Sequence, residues 1–348
     1  MSVQIVAFES AHLPLVARFS EKVWQRPRTP AFVRWRYLEA PRHKTLLALA
    51  GQECVAILSV FSRAYREGEA STLCRETADW YCLPELRLSG LGIRLMKRAM
   101  DEPGPIVAVG GSADTQRLLP RLGWQRVGEA ADLVLSLGGA WLGRVPTRGG
   151  PKVLVRGLVA DLGTFLSGPP RIPTPDAWLA VPVERPGPEL EALYSGTIPW
   201  SMVPLPALDQ LAWLEHAFAG SRRLATLYFR CENRLVGWSL LRLDARDSRE
   251  ALLLDLFAPE ADPALRAWMV AATVTHAAAT GASGIRARSS CPMLQQALRR
   301  NQFVETSRWP IHVWRPREPP VGPLHFCFNT GDAALLPYAT EWAATLPP

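Results

Sequence analysis

The chain has 348 residues, 48% of them hydrophobic and 20% charged, which is the composition of a folded globular protein and more sequence than one core normally uses. Its formal charge of +7 lies almost wholly in residues 1–150, but no basic run accompanies it, so nucleic-acid binding is not expected. No uncharged apolar stretch is long enough to cross a bilayer, and Glu9 with no basic segment ahead of an apolar core argues against a secretory signal, so a cytoplasmic protein is expected.

The six cysteines are scattered and never spaced Cys-x-x-Cys, and the six histidines are equally isolated. Reduced, mostly buried thiols and no metal centre follow as expectations. In chain order, Val3 to Ala7 reads as a strand, and Ser10 as the N-cap of a helix running toward Trp24. Ala31 to Leu38 is a short helix with Phe32, Trp35 and Leu38 on one side. Thr45 to Ala50 and Cys54 to Tyr65 form a hairpin through Gly51-Gln52, and Ser71 to Leu83 is the next strand.

Then comes Pro84-Glu85-Leu86-Arg87-Leu88-Ser89-Gly90-Leu91-Gly92, leading into a helix with Ile93, Met96 and Met100 at helical spacing. A strand, a glycine-bearing turn and a helix start leave free backbone N–H groups at the positive end of a helix dipole, a place suited to an anion. Neither the dinucleotide Gly-x-Gly-x-x-Gly nor the nucleoside-triphosphate Gly-Lys-Ser/Thr pattern is present. The chain continues with a strand Pro105 to Val109, a turn Gly110-Gly111-Ser112, a helix Asp114 to Leu122, and a last strand Asp132 to Leu137 after Gly123-Trp124.

The Arg87-x-x-Gly90-x-Gly92 turn, preceded by Pro84-Glu85, resembles motif A of the GNAT superfamily of acyl-coenzyme A dependent N-acyltransferases. Arg121-Leu122-Gly123-Trp124 is similar to that family's segment ending in Leu-Gly-Phe. The resemblance implies one such α+β domain over residues 1–138, with a mixed, mostly antiparallel twisted sheet flanked by helices. It implies acetyl-coenzyme A, or another acyl-coenzyme A, held by Tyr81, Cys82, Leu83, Arg87, Leu88, Ser89, Gly90, Leu91 and Gly92.

Composition shifts between Gly138 and Asp176, where Gly149-Gly150-Pro151 and Gly168-Pro169-Pro170 bracket a helix-like Val153 to Leu166. Residues 139–177 are expected to be a linker. From 178 to 348 the order of elements repeats, and Asn301-Gln302-Phe303 stands where the first half has Leu122-Gly123-Trp124, so a second, diverged GNAT-like domain in tandem is expected. Its strand-to-helix turn has no glycine, and Asp262 before Pro263 reads as an N-cap that occupies the donors a diphosphate would need. Coenzyme A is expected in the first half alone.

For chemistry, the family resemblance implies a carboxylate base on the strand before the turn. Glu76 matches that position and Asp79 is the other candidate; strand alternation points the two to opposite faces. The resemblance also implies a tyrosine acid in the helix after the next strand, where this chain has Leu119, so Ser112 or Tyr81 would substitute, or water would serve, or the thiolate would leave unaided. Arg34, Trp35 and Tyr37, in a segment also carrying Arg26, Arg28, Arg36, Arg42 and Lys44, are the expected acceptor-binding residues, against a reading in which Trp35 is core and the arginines are solvated. The reading as a whole is transfer of an acyl group, acetyl first, to an amine of a small molecule, an amino sugar among them. Two alternatives stand beside it, a non-catalytic coenzyme A binding or assembly protein and a tandem aminoacyl transferase that uses charged transfer RNA.

Overall fold

The computed structural model describes residues 2–24, 29–137, 177–195, 202–218, 222–244, 250–315 and 325. The expected helix at Val153 to Leu166 lies outside them. In the first half, β1 (Val3–Ala7) is followed by α1 (Leu13–Trp24) and α2 (Pro30–Arg34). Thr29 caps α2 by accepting from the Phe32 N–H at 3.2 Å, with Pro30 at the position where a missing N–H costs nothing.

The chain then widens into a π turn, Trp35–Glu39. Trp35, Arg36 and Tyr37 are all buried while Leu38 is exposed, which corrects the expected Phe32, Trp35, Leu38 stripe. Three consecutive buried side chains do not fit one face of a helix with 3.6 residues per turn. Next come β2 (His43–Ala50), β3 (Glu53–Glu67) and β4 (Ala70–Cys82), then a 3-10 segment Pro84–Ser89, α3 (Leu91–Met100), β5 (Ile106–Val109), α4 (Ala113–Arg121) and β6 (Gln125–Ser136).

The second half runs β7 (Trp178–Val183), α5 (Glu189–Leu193), β8 (Val203–Pro204), α6 (Leu208–Phe218), β9 (Arg222–Cys231), β10 (Arg234–Asp244) and β11 (Glu250–Phe257). It ends with α7 (Pro263–Ala279), β12 (Gly284–Ser289), α8 (Pro292–Arg300) and β13 (Val304–Trp314). All the described strands join one sheet in the order β1-β2-β3-β4-β5-β13-β6-β12-β11-β10-β9-β7, with β8 paired to β3. Among the described pairs only β4 with β5 and β11 with β12 are parallel.

The order shows an exchange. β13, the last described strand of the second half, lies between β5 and β6, and β6, the last described strand of the first half, lies between β13 and β12. The repeat in the sequence therefore has a counterpart in space. After α4, Trp124 N–H donates to Leu119 O at 3.1 Å across left-handed Gly123, and after α8, Phe303 N–H donates to Leu298 O at 3.1 Å across left-handed Gln302. The halves also meet through Trp35 and Trp213 of α6, whose rings stack at 4.3 Å. Each indole donates to the other's backbone carbonyl, at 3.4 and 3.1 Å, a reciprocal contact of the kind a two-fold axis produces.

Two large cores result, one under the second half's sheet around Trp238, Trp268 and Phe257, the other around α1, α3 and the centre of β3. Among the described residues no helix is long and apolar enough to cross a membrane. The five described cysteines are free thiols.

Candidate functional site

The site is built on an irregularity in β4. β3 and β4 pair Ser59 with Ala78 and Ile57 with Tyr81, so β4 carries one residue more than its partner. Asp79 sits there with φ 50°, a left-handed conformation that an aspartate tolerates better than most residues. On its other side β4 pairs with β5 only at Arg75 with Ile106 and Glu76 with Val107. Beyond Glu76 the two parallel strands are no longer paired, and the opening leads toward the glycine turn.

In that turn Gly90 holds φ 76° as the N-cap of α3, and a Cβ there would meet nothing within 4 Å, so the need for glycine is conformational. The first intrahelical bond is made by Arg94 N–H to Gly90 O at 3.0 Å. Of the donors before it, Leu91 N–H reaches Ser89 Oγ at 3.4 Å, and those of Gly92 and Ile93 have no partner within the helix. Gly92 has a different job. A Cβ at Gly92 would come 3.3 Å from Trp80 Nε1, and the Trp80 indole donates to Gly92 O at 3.1 Å. Trp80, which sequence reasoning passed over, thus ties the bulge to the turn.

Glu76 is 1% exposed and accepts from the Tyr65 hydroxyl at 2.5 Å. Burial and then the charge of Glu76 push the Tyr65 phenol well above its ordinary value. Burial opposes the charge of nearby Arg63, but Glu76 and Asp255 outweigh it and its pKa is raised. Asp79 accepts from Arg36 Nε at 2.8 Å and from the Tyr37 hydroxyl at 2.8 Å, with Arg36 Nη2 2.7 Å away. Arg36 lies 5.4 Å from the ring of Phe61, and Phe61 pairs directly with Glu76 across the strands. Directly opposed residues share a face, so Glu76 and Asp79 are on the same face. The expectation of opposite faces fails because the bulge adds a residue between them.

The remaining residues disperse. Ser112 is exposed and caps α4, accepting from Thr115 N–H at 3.2 Å. Leu119 is fully buried in the first half's core. Tyr81 is partly exposed, Leu83 buried, and Arg87 and Leu88 exposed at the turn; Cys82 is half-buried, its thiol pushed up by burial and partly brought back by Arg87. Arg34 is exposed, Trp35 is packed on Trp213, and Tyr37 is committed to Asp79. Among the described residues no group of His, Cys, Asp and Glu could hold a metal.

The corresponding corner of the second half is closed. Asp262 accepts from Ala264 N–H at 2.7 Å with Pro263 after it, as the sequence reading expected. Arg266 from the first turn of α7 is buried and donates to Ala258 O at 2.8 Å, beside the end of β11. His325 lies edge-on to Phe257 at 5.7 Å, and burial, with Arg266 and Arg63 nearby, lowers it to about 3.

No family model matches the chain, and no curated protein matches it. Solved structures do. One is a GCN5-related N-acetyltransferase from Anabaena variabilis, with TM-score 0.58 and 13% identity, covering 90% of this chain and 72% of that one. A second is N-myristoyltransferase from Saccharomyces cerevisiae with bound myristoyl-CoA, with TM-score 0.55 and 12% identity over 92% and 84% of the two chains. A third is a tandem GNAT protein from the clavulanic acid biosynthesis pathway, with TM-score 0.53 and 12% identity over 91% and 100%.

Proposed function

We propose, from the premise that this chain has the fold of the GCN5-related N-acetyltransferases in tandem form, that it transfers an acyl group, acetyl first, from acyl-coenzyme A to an amine of a small molecule such as an amino sugar. The observation that carries the reading is the opening between β4 and β5 past Glu76, running from the Asp79 bulge to the Gly90 turn. The residues fit a diphosphate there, because Gly90 keeps the turn left-handed with open space at its Cα and the N–H groups of Gly92 and Ile93 precede the first helical bond. Tyr81 and Cys82, at the end of β4 that pairs with β3 and not with β5, and Leu83 just after it would line the arm of the cofactor. When bound, acyl-coenzyme A supplies an acyl group activated as a thioester.

The chain's own contribution is proton handling and positioning. Glu76, at the apex of the opening and beside charged Arg63, is the proposed base for the acceptor amine, and the Tyr65 hydroxyl fixes its orientation. Asp79, held by Arg36 and Tyr37, is proposed to fasten the bulge instead of moving protons. Arg34 is the member of the expected acceptor set still facing solvent. Leu119 favours a second reading, coenzyme A binding without turnover, since a buried leucine offers no proton to a departing thiolate.

Calorimetric titration of acetyl-coenzyme A tests the premise. Wild type and Gly90→Asn, which tolerates the left-handed turn, should bind; Gly90→Glu, which adds a charge against the diphosphate, should weaken binding ~10-fold or more. Equal affinity for wild type and Gly90→Glu removes the assignment. Thiol release on adding amines separates the two readings, since binding with no release for any amine supports the second.

A further inference from the structure

Two consecutive residues of the β4 bulge hold two different parts of the first half. Between the pairs Ser59 with Ala78 and Ile57 with Tyr81, Asp79 and Trp80 stand where β3 has Leu58 alone. Asp79, at φ 50°, accepts from Arg36 Nε and from the Tyr37 hydroxyl, each at 2.8 Å, and so holds the turn Trp35–Glu39 that follows Arg34. Trp80, half-buried against the first half's core, donates from Nε1 to Gly92 O at 3.1 Å.

The Trp80 contact acts directly on a diphosphate donor. Gly92 C=O and Ile93 N–H are the two ends of one planar peptide unit, so a bond that fixes the carbonyl also fixes where the N–H points. A carbonyl that accepts a hydrogen bond polarises its peptide and makes that N–H the better donor. Ile93 N–H is one of those that precede the first helical bond, Arg94 N–H to Gly90 O at 3.0 Å. There is little slack, since a Cβ on Gly92 would lie 3.3 Å from Trp80 Nε1. Asp79 and Trp80 in turn share a peptide unit, so a backbone rotation that releases Tyr37 also turns the indole away from Gly92.

We propose, resting on the acyl-coenzyme A reading above, that the bulge couples the cofactor turn to the acceptor segment. Trp80 is the positioning residue for the Ile93 N–H, Asp79 is the anchor of Trp35–Glu39, and binding at either end tightens the other. Coupling of this kind is reciprocal, so an amine that orders the segment around Arg34 also raises the affinity for coenzyme A.

The test is calorimetric titration of acetyl-coenzyme A into the full chain. Trp80→Phe keeps an apolar ring and loses the N–H, and Tyr37→Phe loses the hydroxyl that Asp79 accepts. Each should weaken binding ~3- to 10-fold, and the double variant should bind no more weakly than the poorer single, because both cut the same link. Cooperative melting by circular dichroism establishes that each variant is folded. Hydrogen exchange of the wild type, read by mass spectrometry, needs no variant: saturating acetyl-coenzyme A should slow exchange in Trp35–Glu39 by ~3-fold or more, as well as in the turn. The proposal is overturned by folded variants that bind like wild type, by a double variant in which the two losses multiply, or by protection confined to the turn. Where any of these is found while wild type binds and Gly90→Glu is weakened, the coupling alone fails; a wild type that does not bind removes the cofactor assignment and the coupling together.

Discussion

Arg36 is fully buried, and its charge is tolerated because Asp79 stands 2.7 Å away and the ring of Phe61 lies 5.4 Å below it. Removing one member of such a pair leaves the other desolvated and alone. Asp79→Ala should lower the unfolding free energy by ~3 to 5 kcal/mol in urea denaturation, and a loss under 1 kcal/mol would contradict the pairing. His43 packs on Phe61 at 4.3 Å in the same cluster, and burial, with the Arg36 charge added, lowers it to about 3. A histidine depressed in the folded state is neutral there while the unfolded chain takes up a proton below its ordinary value. Its contribution to stability is therefore full above pH ~6.5 and is lost as pH falls toward 3. Denaturation curves between pH 6 and 4 should show the slope of stability against pH reduced by ~1.4 kcal/mol per pH unit in His43→Gln relative to wild type. At this scale the sequence marked Glu76 and Asp79 as the carboxylates of interest, but one φ angle at Asp79 decides which way it points, and no residue pattern encodes that angle.

Elements that depend on their own residues were legible. The Asp262-Pro263 helix start and the hairpin at Gly51 formed as read, because each is fixed by one or two local hydrogen bonds or a single dihedral. The π turn Trp35–Glu39 was not, because its geometry follows from where Asp79 and Trp213 wait for Arg36 and Trp35. Nor do the local residues say what surrounds Gly92, where the space a side chain would need is taken by Trp80. Gly110 repeats that lesson at the end of β5. It holds φ 73°, and a Cβ on it would lie 2.7 Å from the Trp309 ring of β13. Trp309 cannot retreat easily, since its indole donates to Asp132 at 2.6 Å while Arg288 lies over its ring. Gly110→Ala should therefore cost ~1 to 3 kcal/mol, read as a lower midpoint in urea, and the double variant Gly110→Ala, Trp309→Phe should not recover it, because the left-handed strain stays.

At the scale of the molecule, pairing order is what periodicity cannot carry. Alternation identified β6 and β13 as strands and said nothing of which neighbours they choose. The described partners of β6 are β13 and β12, both beyond residue 283. A fragment of residues 1–137 should consequently show no cooperative melting, while co-expression with residues 138–348 should restore a complex that melts as one. Independent cooperative melting of the first fragment would show that the exchange is dispensable. The Trp35 and Trp213 contact makes a narrower test: a double-mutant cycle with alanine should give a coupling of ~0.5 to 1.5 kcal/mol.

The exchange also sets a schedule. On a ribosome the amino-terminal half emerges well before Val304–Trp314 has been made, and until that strand arrives β5 and β6 cannot be joined. Roughly half the polypeptide must wait with an open sheet edge for a distant tail, a long-range closure that is slow and exposes the nascent chain to misassembly. The order of the strands thus sets how long that edge stays uncovered during translation.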